Sequence, residues 1–283
     1  MHLMTNPKVT ANSTKKSMNS RIPTVSIGMP VYNGAEYIRE ALDSLLAQTF
    51  TDFELIISDN ASNDATTEIC QEYAKKDVRI RYILQAENLG PTANFQLVLS
   101  EAKGQYFMWA AHDDRWASTF LELTVAALES DLGCELAFSN FIERDLDSGK
   151  ERLHKVLQSN SQSIVYNYIT RALNMCPSLV YGLYRVNTLK KIDFIPMDFA
   201  DVHFISEITV KSRIKVIDKY LYIAGTKGLR EPYSLTHKKI NRTFFLRKQY
   251  ELLKVNFNFP ITQCLFLLVC LVMAYNKIRL WRY

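Results

Sequence analysis

TVSIGMPVYN, residues 24–33, is the stretch that decides the fold. Val25, Ile27 and Met29 alternate within a run that has few polar residues, the pattern of a buried strand, and Pro30 is expected to end it. Tyr32 and Asn33 then place polar groups at the strand's carboxyl end. Asn33 is positioned to cap a helix over about 34–48, in which Ile38, Ala41, Leu42, Leu45 and Leu46 share one face. FELIISDN at 53–60 repeats the theme: an apolar run closing on Asp59 and Asn60. A helix is predicted over 63–76, a strand in RIRYILQ at 79–85, and a helix through Phe95, Leu97, Val98 and Ala102 after the Asn88–Gly90 turn. QYFMWAAHDD at 105–114 reads as a fourth strand that runs into Asp113 and Asp114.

Strand and helix in strict succession predict a mostly parallel α/β sheet with right-handed crossovers and helices on its faces. Ligands of such sheets bind beyond the carboxyl ends of the strands. Three strand ends here carry polar clusters: Tyr32–Asn33, Asp59–Asn60 and Asp113–Asp114. Past them the pattern loosens. A helix is predicted over 117–131, a strand over 135–143, a polar loop over 144–163 and a helix over 167–174. A strand with a short helix is expected within 176–192, a helix over 200–213 and a strand over 215–225.

Of the 283 residues, 48% are hydrophobic and 22% charged, the balance of a globular chain large enough to bury a real core. The net charge of +5 comes without an arginine-rich block or nucleic-acid motif, so no nucleic-acid partner is expected. Five dispersed cysteines with no CxxC spacing read as reduced thiols of a reducing compartment. Residues 1–22, rich in Asn, Ser, Thr and Lys, lack the apolar run of a signal peptide and read as a disordered leader, which makes the cytoplasmic side the expected location.

PVYNGAEYIREALDSLLAQTF, IISDNASNDATTEI, ENLGPTANF and WAAHDD, in that order and spacing, resemble family 2 of the glycosyltransferases. The resemblance covers about 23–130 well and fades toward 235. It implies a GT-A fold, Rossmann-like, over 23–235, with a nucleotide-binding half at about 23–130 and an acceptor half at about 131–235; residues 236–283 read on their own as a helical segment. The implied activity is transfer of a sugar from a nucleotide-diphosphate sugar to the hydroxyl of a glycan or lipid-linked acceptor in envelope glycan synthesis. No Gln-x-x-Arg-Trp block is present, which favours addition of single sugars over polymerisation. The competing reading is an inactive nucleotide-sugar-binding or scaffold protein, motivated by Ala111 where the family has its first acid.

Residue by residue, the resemblance assigns Asp59 to the nucleotide base. A carboxylate can accept the imide N–H of uracil, which favours a UDP-sugar, whereas an Asx turn closing the loop is the alternative. Pro30, Tyr32 and Asn33 match the first loop at base and ribose, and Asn88 and Gly90 match a nucleotide-proximal turn with Pro91 starting the next helix. Asp64 reads as a helix-capping acid. Asp113 aligns with the acid that holds Mg²⁺ or Mn²⁺, and Asp114 is its neighbour on metal or donor. A hard cation suits carboxylate ligands and neutralises a departing diphosphate. His112 reads as a packing or supporting residue, and Trp109 and Trp116 as pocket walls or core. Asp201, opening its helix, is the implied base that deprotonates the acceptor for an inverting transfer, with Asp198 the runner-up.

FPITQCLFLLVCLVMAY at 259–275, followed by Lys277, Arg279, Trp281 and Arg282, is barely long enough to span a bilayer. It is read as an apolar helix lying on the inner face of the membrane through 259–283, the alternative being a helix packed on the domain or in a homodimer.

Overall fold

The computed structural model describes residues 22–158, 163, 165–167, 176–192, 200–211 and 213–226, together with a few helical positions between Arg247 and Leu265. The leader and most of 227–283 lie outside the described residues, and with them the expected C-terminal apolar helix and its membrane contact. Among the described residues, no helix is long and apolar enough to cross a membrane.

The first half alternates as the sequence predicts: β1 (Val25–Val31), α1 (Ile38–Leu46), β2 (Phe53–Asp59), α2 (Thr66–Lys76), β3 (Ile80–Leu84), α3 (Pro91–Ser100) and β4 (Tyr106–Trp109). These strands lie in the order β3-β2-β1-β4, all parallel. Their side chains point to two covered faces, so Val25, Ile27, Met29, Leu55, Ile57, Phe107 and Trp109 are fully buried. Helix α1 contributes Ile38, Ala41, Leu42 and Leu45 from one stripe.

Beyond β4 come β5 (Arg115–Trp116), α4 (Phe120–Ser130), β6 (Cys134–Asp145) and β7 (Glu151–His154). A 3-10 turn (Pro177–Tyr181), β8 (Leu183–Arg185), α5 (Val186–Leu189), α6 (Ala200–Lys211) and β9 (Arg213–Thr226) follow. Strand β8 pairs antiparallel with both β4 and β6, and β9 runs parallel to β6 and antiparallel to β5. The sheet is therefore mixed rather than mostly parallel, one surface running from β3 to β5.

Three local expectations are corrected. Strand β1 does not stop at Pro30 but runs to Val31. Gly28 accepts from Ala110 of the β4 side, whereas Val31 accepts from Asn60 beyond β2, so alternate residues face alternate neighbours. Pro30 thus faces the β4 side, where pairing has already ended at Gly28–Trp109, and its missing N–H costs no ladder bond. For the same reason β4 is shorter than the predicted 105–114, ending where β1 and β4 part. Finally, 144–163 is not all loop: Asp145 accepts from Asp147 N–H (3.0 Å) and Ser148 Oγ (2.7 Å), closing a hairpin that carries β7.

Two aromatic clusters hold the halves. Trp109 meets Phe107, Tyr184 and Phe204 edge-on, with centroids 4.9, 6.0 and 5.4 Å away. Tyr222 gathers Trp116, Phe138, Phe141 and Tyr181. Trp109 and Trp116, read as pocket walls or core, are both core. Cys70 and Cys134 are buried free thiols.

Candidate active site at the parting of two strands

Strand β1 has β2 on one side and β4 on the other, and the connections leave in opposite directions. That is a topological switch point, where a doubly wound sheet opens a crevice at its carboxyl edge. All the loops that border it carry residues singled out from the sequence.

The loop after β1 leaves through Tyr32, which is exposed, and Asn33, whose φ of 51° is left-handed. Asn33 does not cap α1, which begins later, at Ile38 after a turn closed on the Gly34 carbonyl. Instead its side-chain oxygen accepts from the Asn63 N–H (2.9 Å), and its own N–H donates to Ser62 Oγ (3.0 Å). The Gly34 N–H donates to Thr66 Oγ1 (2.8 Å) and the Ala35 N–H to Asp64 Oδ2 (3.1 Å). The loops after β1 and β2 are thereby stitched into one unit. Asp64 does not occupy the N-cap of α2, which is Ala65; it sits one residue earlier and accepts from the Thr66 N–H (3.0 Å). Burial works to raise its carboxyl, but the bonds from Thr66 and Ala35 prevail and hold it below its usual value.

Asp59 ends β2 fully buried. Its Oδ1 accepts from the Ser62 N–H three residues on (2.9 Å), while Oδ2 accepts from Thr67 Oγ1 (2.7 Å) and Tyr82 OH (2.9 Å). Sequence reasoning gave Asn60 no role of its own, yet its side chain spans to the next loop. Its Nδ2 donates to Asn88 Oδ1 (2.9 Å) and the Gly90 carbonyl (3.2 Å), and its Oδ1 accepts from the Leu89 N–H (2.9 Å). Gly90 sits at φ 84°, a conformation glycine adopts without strain, and sets Pro91 as the first residue of α3. Pro30 lies at the parting itself, opposite Ser58.

The turn after β4 carries His112 and Asp113. The Asp113 side chain is half-buried and makes no hydrogen bond among the described residues. Asp114 differs. It is buried, its Oδ2 accepts from the Tyr222 OH, and its Oδ1 accepts from the Gly225 N–H (2.9 Å). Burial, and next the charge of Asp113, push its carboxyl up to about 8. Tyr222, 108 residues away in sequence, is raised in turn by burial and by Asp114. With both oxygens engaged on β9, Asp114 is an anchor of that strand.

Among the described residues, no three His, Cys, Asp or Glu side chains converge as a cation cage. One unbonded carboxylate is nonetheless the donor set that suits Mg²⁺ or Mn²⁺ arriving with a diphosphate, because such ions take one or two carboxylates and complete their shell with phosphate oxygens and water. Asp113 fits that role. Asp201 is the second residue of α6, with its side chain outside what is described. One turn on, Phe204 packs on Trp109, the last residue of β4, which brings the start of α6 to the same end of the sheet. Asp198 lies outside the described residues.

The sequence model of the family described as Glycosyl transferase family 2 matches residues 26–192. The chain belongs to that family. An uncharacterized glycosyltransferase of Rickettsia typhi is 31% identical over 216 residues, covering 69% of this chain and 65% of its own. TuaG of Bacillus subtilis, a putative teichuronic acid biosynthesis glycosyltransferase, is 33% identical over 119 residues, 42% of this chain and 47% of its own. The crystal structure of S. aureus TarS 1–349 in complex with UDP superposes with a TM-score of 0.60 at 21% identity, covering 82% of this chain and 64% of that one. At that identity the likeness establishes the shared fold. The chain spans less than two thirds of the length of these relatives.

Proposed function

We propose that the chain transfers a sugar from a nucleotide-diphosphate sugar to an acceptor hydroxyl, one sugar at a time and with inversion. The observation that carries this reading is the unbonded Asp113 carboxylate at the parting of β1 and β4, beside loops already fixed by their own hydrogen bonds. Asp113 would hold Mg²⁺ or Mn²⁺, and the ion when bound supplies the charge that a departing diphosphate needs. Tyr32 and Asn33 border the base and ribose, and the Asn88–Gly90 turn, pinned by Asn60, forms the opposite wall. Asp59 meets the base through the acceptor capacity left on Oδ1, which carries a single bond. Asp201 takes the acceptor proton at the start of α6.

Family membership and the UDP bound by TarS support a UDP-sugar donor. The name of TuaG supports an envelope polysaccharide or its lipid-linked precursor as acceptor, met at the cytoplasmic face of the membrane with 259–283 on the lipid surface. Calorimetric titration of the full chain with UDP, with and without Mn²⁺, tests the centre of the reading. Binding is expected to tighten at least about tenfold with Mn²⁺, and a donor screen read by mass spectrometry is expected to find a transfer that Asp201→Asn abolishes. UDP binding indifferent to Mn²⁺ would sink the metal assignment. A wild-type chain that binds donor but never transfers would establish the scaffold reading instead.

A further inference from the structure

Asp113 has no hydrogen bond among the described residues to fix it, yet a metal-holding carboxylate must be placed to within a fraction of an ångström. The residue before it supplies a physical answer. A Cβ added to Gly34 would lie 2.7 Å from His112 Cδ2 and 2.8 Å from its Cγ, so the imidazole rests directly on the Gly34 α-carbon. Only glycine leaves that space. The seat beneath the ring is rigid: the Gly34 N–H is held by Thr66 Oγ1 (2.8 Å), and its carbonyl accepts from Tyr37 (3.2 Å) and Ile38 (3.0 Å) at the start of α1.

On the other flank, a Cβ on Gly225 would overlap the Asp113 carbonyl oxygen, and the Gly225 N–H is bonded to Asp114. The turn is therefore located by contact with two bare α-carbons. One belongs to the loop after β1 and meets a side chain; the other belongs to β9 and meets backbone.

We infer that His112 is a positioning residue for Asp113, its ring seated on Gly34 so that the first loop and the metal-holding carboxylate are set as one unit. This rests on the proposed donor and metal reading of the site. It gives the first loop a second task, beyond bordering the nucleotide: its backbone is the template against which Asp113 is placed. The contact is one of shape and does not depend on the charge of the imidazole.

The test compares the full-length wild type with His112→Ala, Gly34→Ala, the double variant and Gly225→Ala. Three readouts are taken: Mn²⁺ affinity in the presence of UDP by electron paramagnetic resonance, UDP affinity without metal, and Tm without ligands. His112→Ala is expected to weaken Mn²⁺ binding about tenfold, as loss of a ligand-orienting contact does, while metal-free UDP binding holds within about threefold. Gly34→Ala is expected to weaken it at least as much by driving the ring off its seat. The double variant is expected to be no worse than His112→Ala alone, because removing the ring removes most of the overlap, leaving only Val31 Cγ2 at 2.8 Å. Gly225→Ala, which collides with main chain, is expected to gain nothing from His112→Ala. If Gly34→Ala does not fold, a double variant that does fold shows the same rescue through Tm. Unchanged Mn²⁺ affinity in His112→Ala, or effects of the two substitutions that simply multiply, overturns the inference. Wild-type protein that binds UDP without any Mn²⁺ dependence overturns instead the reading on which it rests.

Discussion

After β1 and β2 the chain is held by hydrogen bonds between segments: Asn33, Asn60 and Asp64 accept from neighbouring loops, and Asp59 from Tyr82 on β3. After β4, His112 and Asp113 are located by contact, the ring on Gly34 and the Asp113 carbonyl against Gly225, and side-chain hydrogen bonds resume only at Asp114. The two regions face the same crevice. Polar side chains that are spent on bonds within the protein fix a shape, whereas a carboxylate left unspent is available to a ligand. The difference between Asp114 and Asp113, neighbours in one turn, is thus one of partners, while Asp59 is bonded by three groups and keeps acceptor capacity on Oδ1.

Replacing Asp113 by Asn should break the comparison most visibly. Turnover is expected to fall about a thousandfold, the equivalent of about 4 kcal/mol of transition-state stabilisation. Tm should stay within a degree or two, because no bond of the described fold is lost. Steady-state kinetics beside calorimetry would check this, and a large drop in Tm would contradict it. Asp59→Ala, unlike Asp113→Asn, should lose stability in denaturant titration. It leaves the Ser62 N–H and the Thr67 and Tyr82 hydroxyls without their acceptor, at about 1 kcal/mol each, so about 3 kcal/mol of stability should go.

Asp114 gives a subtler effect, read against pH. Its carboxyl is raised to about 8 in the folded chain, above the ordinary value it regains on unfolding. The native state therefore holds the proton more tightly, so this group's contribution is full below the ordinary carboxylate pKa and is lost as pH rises through about 8. In metal-free buffer the wild-type Tm should decline from pH 5 to 8. Asp114→Asn, which stays neutral and still offers an acceptor to the Gly225 N–H, should flatten that decline and lie within about 1 kcal/mol of wild type at the acid end. A variant whose slope matches wild type would count against the assignment.

The smallest effect is expected at Ala61, which holds a left-handed φ of 58° inside the turn closed by the Asp59–Ser62 bond. Ala61→Gly relieves about 1 kcal/mol of strain but gives part of it back as chain entropy in the unfolded state. A net gain of about 0.5 kcal/mol should appear in chemical denaturation. A loss would mean that the loop geometry, and not the residue's own backbone, sets the balance.

Much of this was legible in the sequence because it is local. The apolar runs ending in Tyr32–Asn33 and Asp59–Asn60 report strand and loop directly, and so do Pro91 after Gly90 and the stripe of α1. What escaped depends on distant partners. Nothing near Asp114 announces Tyr222, and nothing in PVYNG says that an imidazole from the turn after β4 will lie on Gly34. Hairpin β7 was hidden because its turn and its edge strand are both polar, so no alternation marks it. Asn33 reads equally well as a helix cap or a loop acceptor until the start of α1 is known.

Pro30 does more than tolerate its place at the parting. Zipping β4 further along β1 would shut the crevice, and the next rung would need an N–H that a pyrrolidine ring does not have. The parting of the strands is thus favoured by the main chain itself, since any longer ladder would go without one hydrogen bond, about 1 kcal/mol. A substitution such as Pro30→Val would restore the missing donor and remove that bias against a longer β1–β4 ladder.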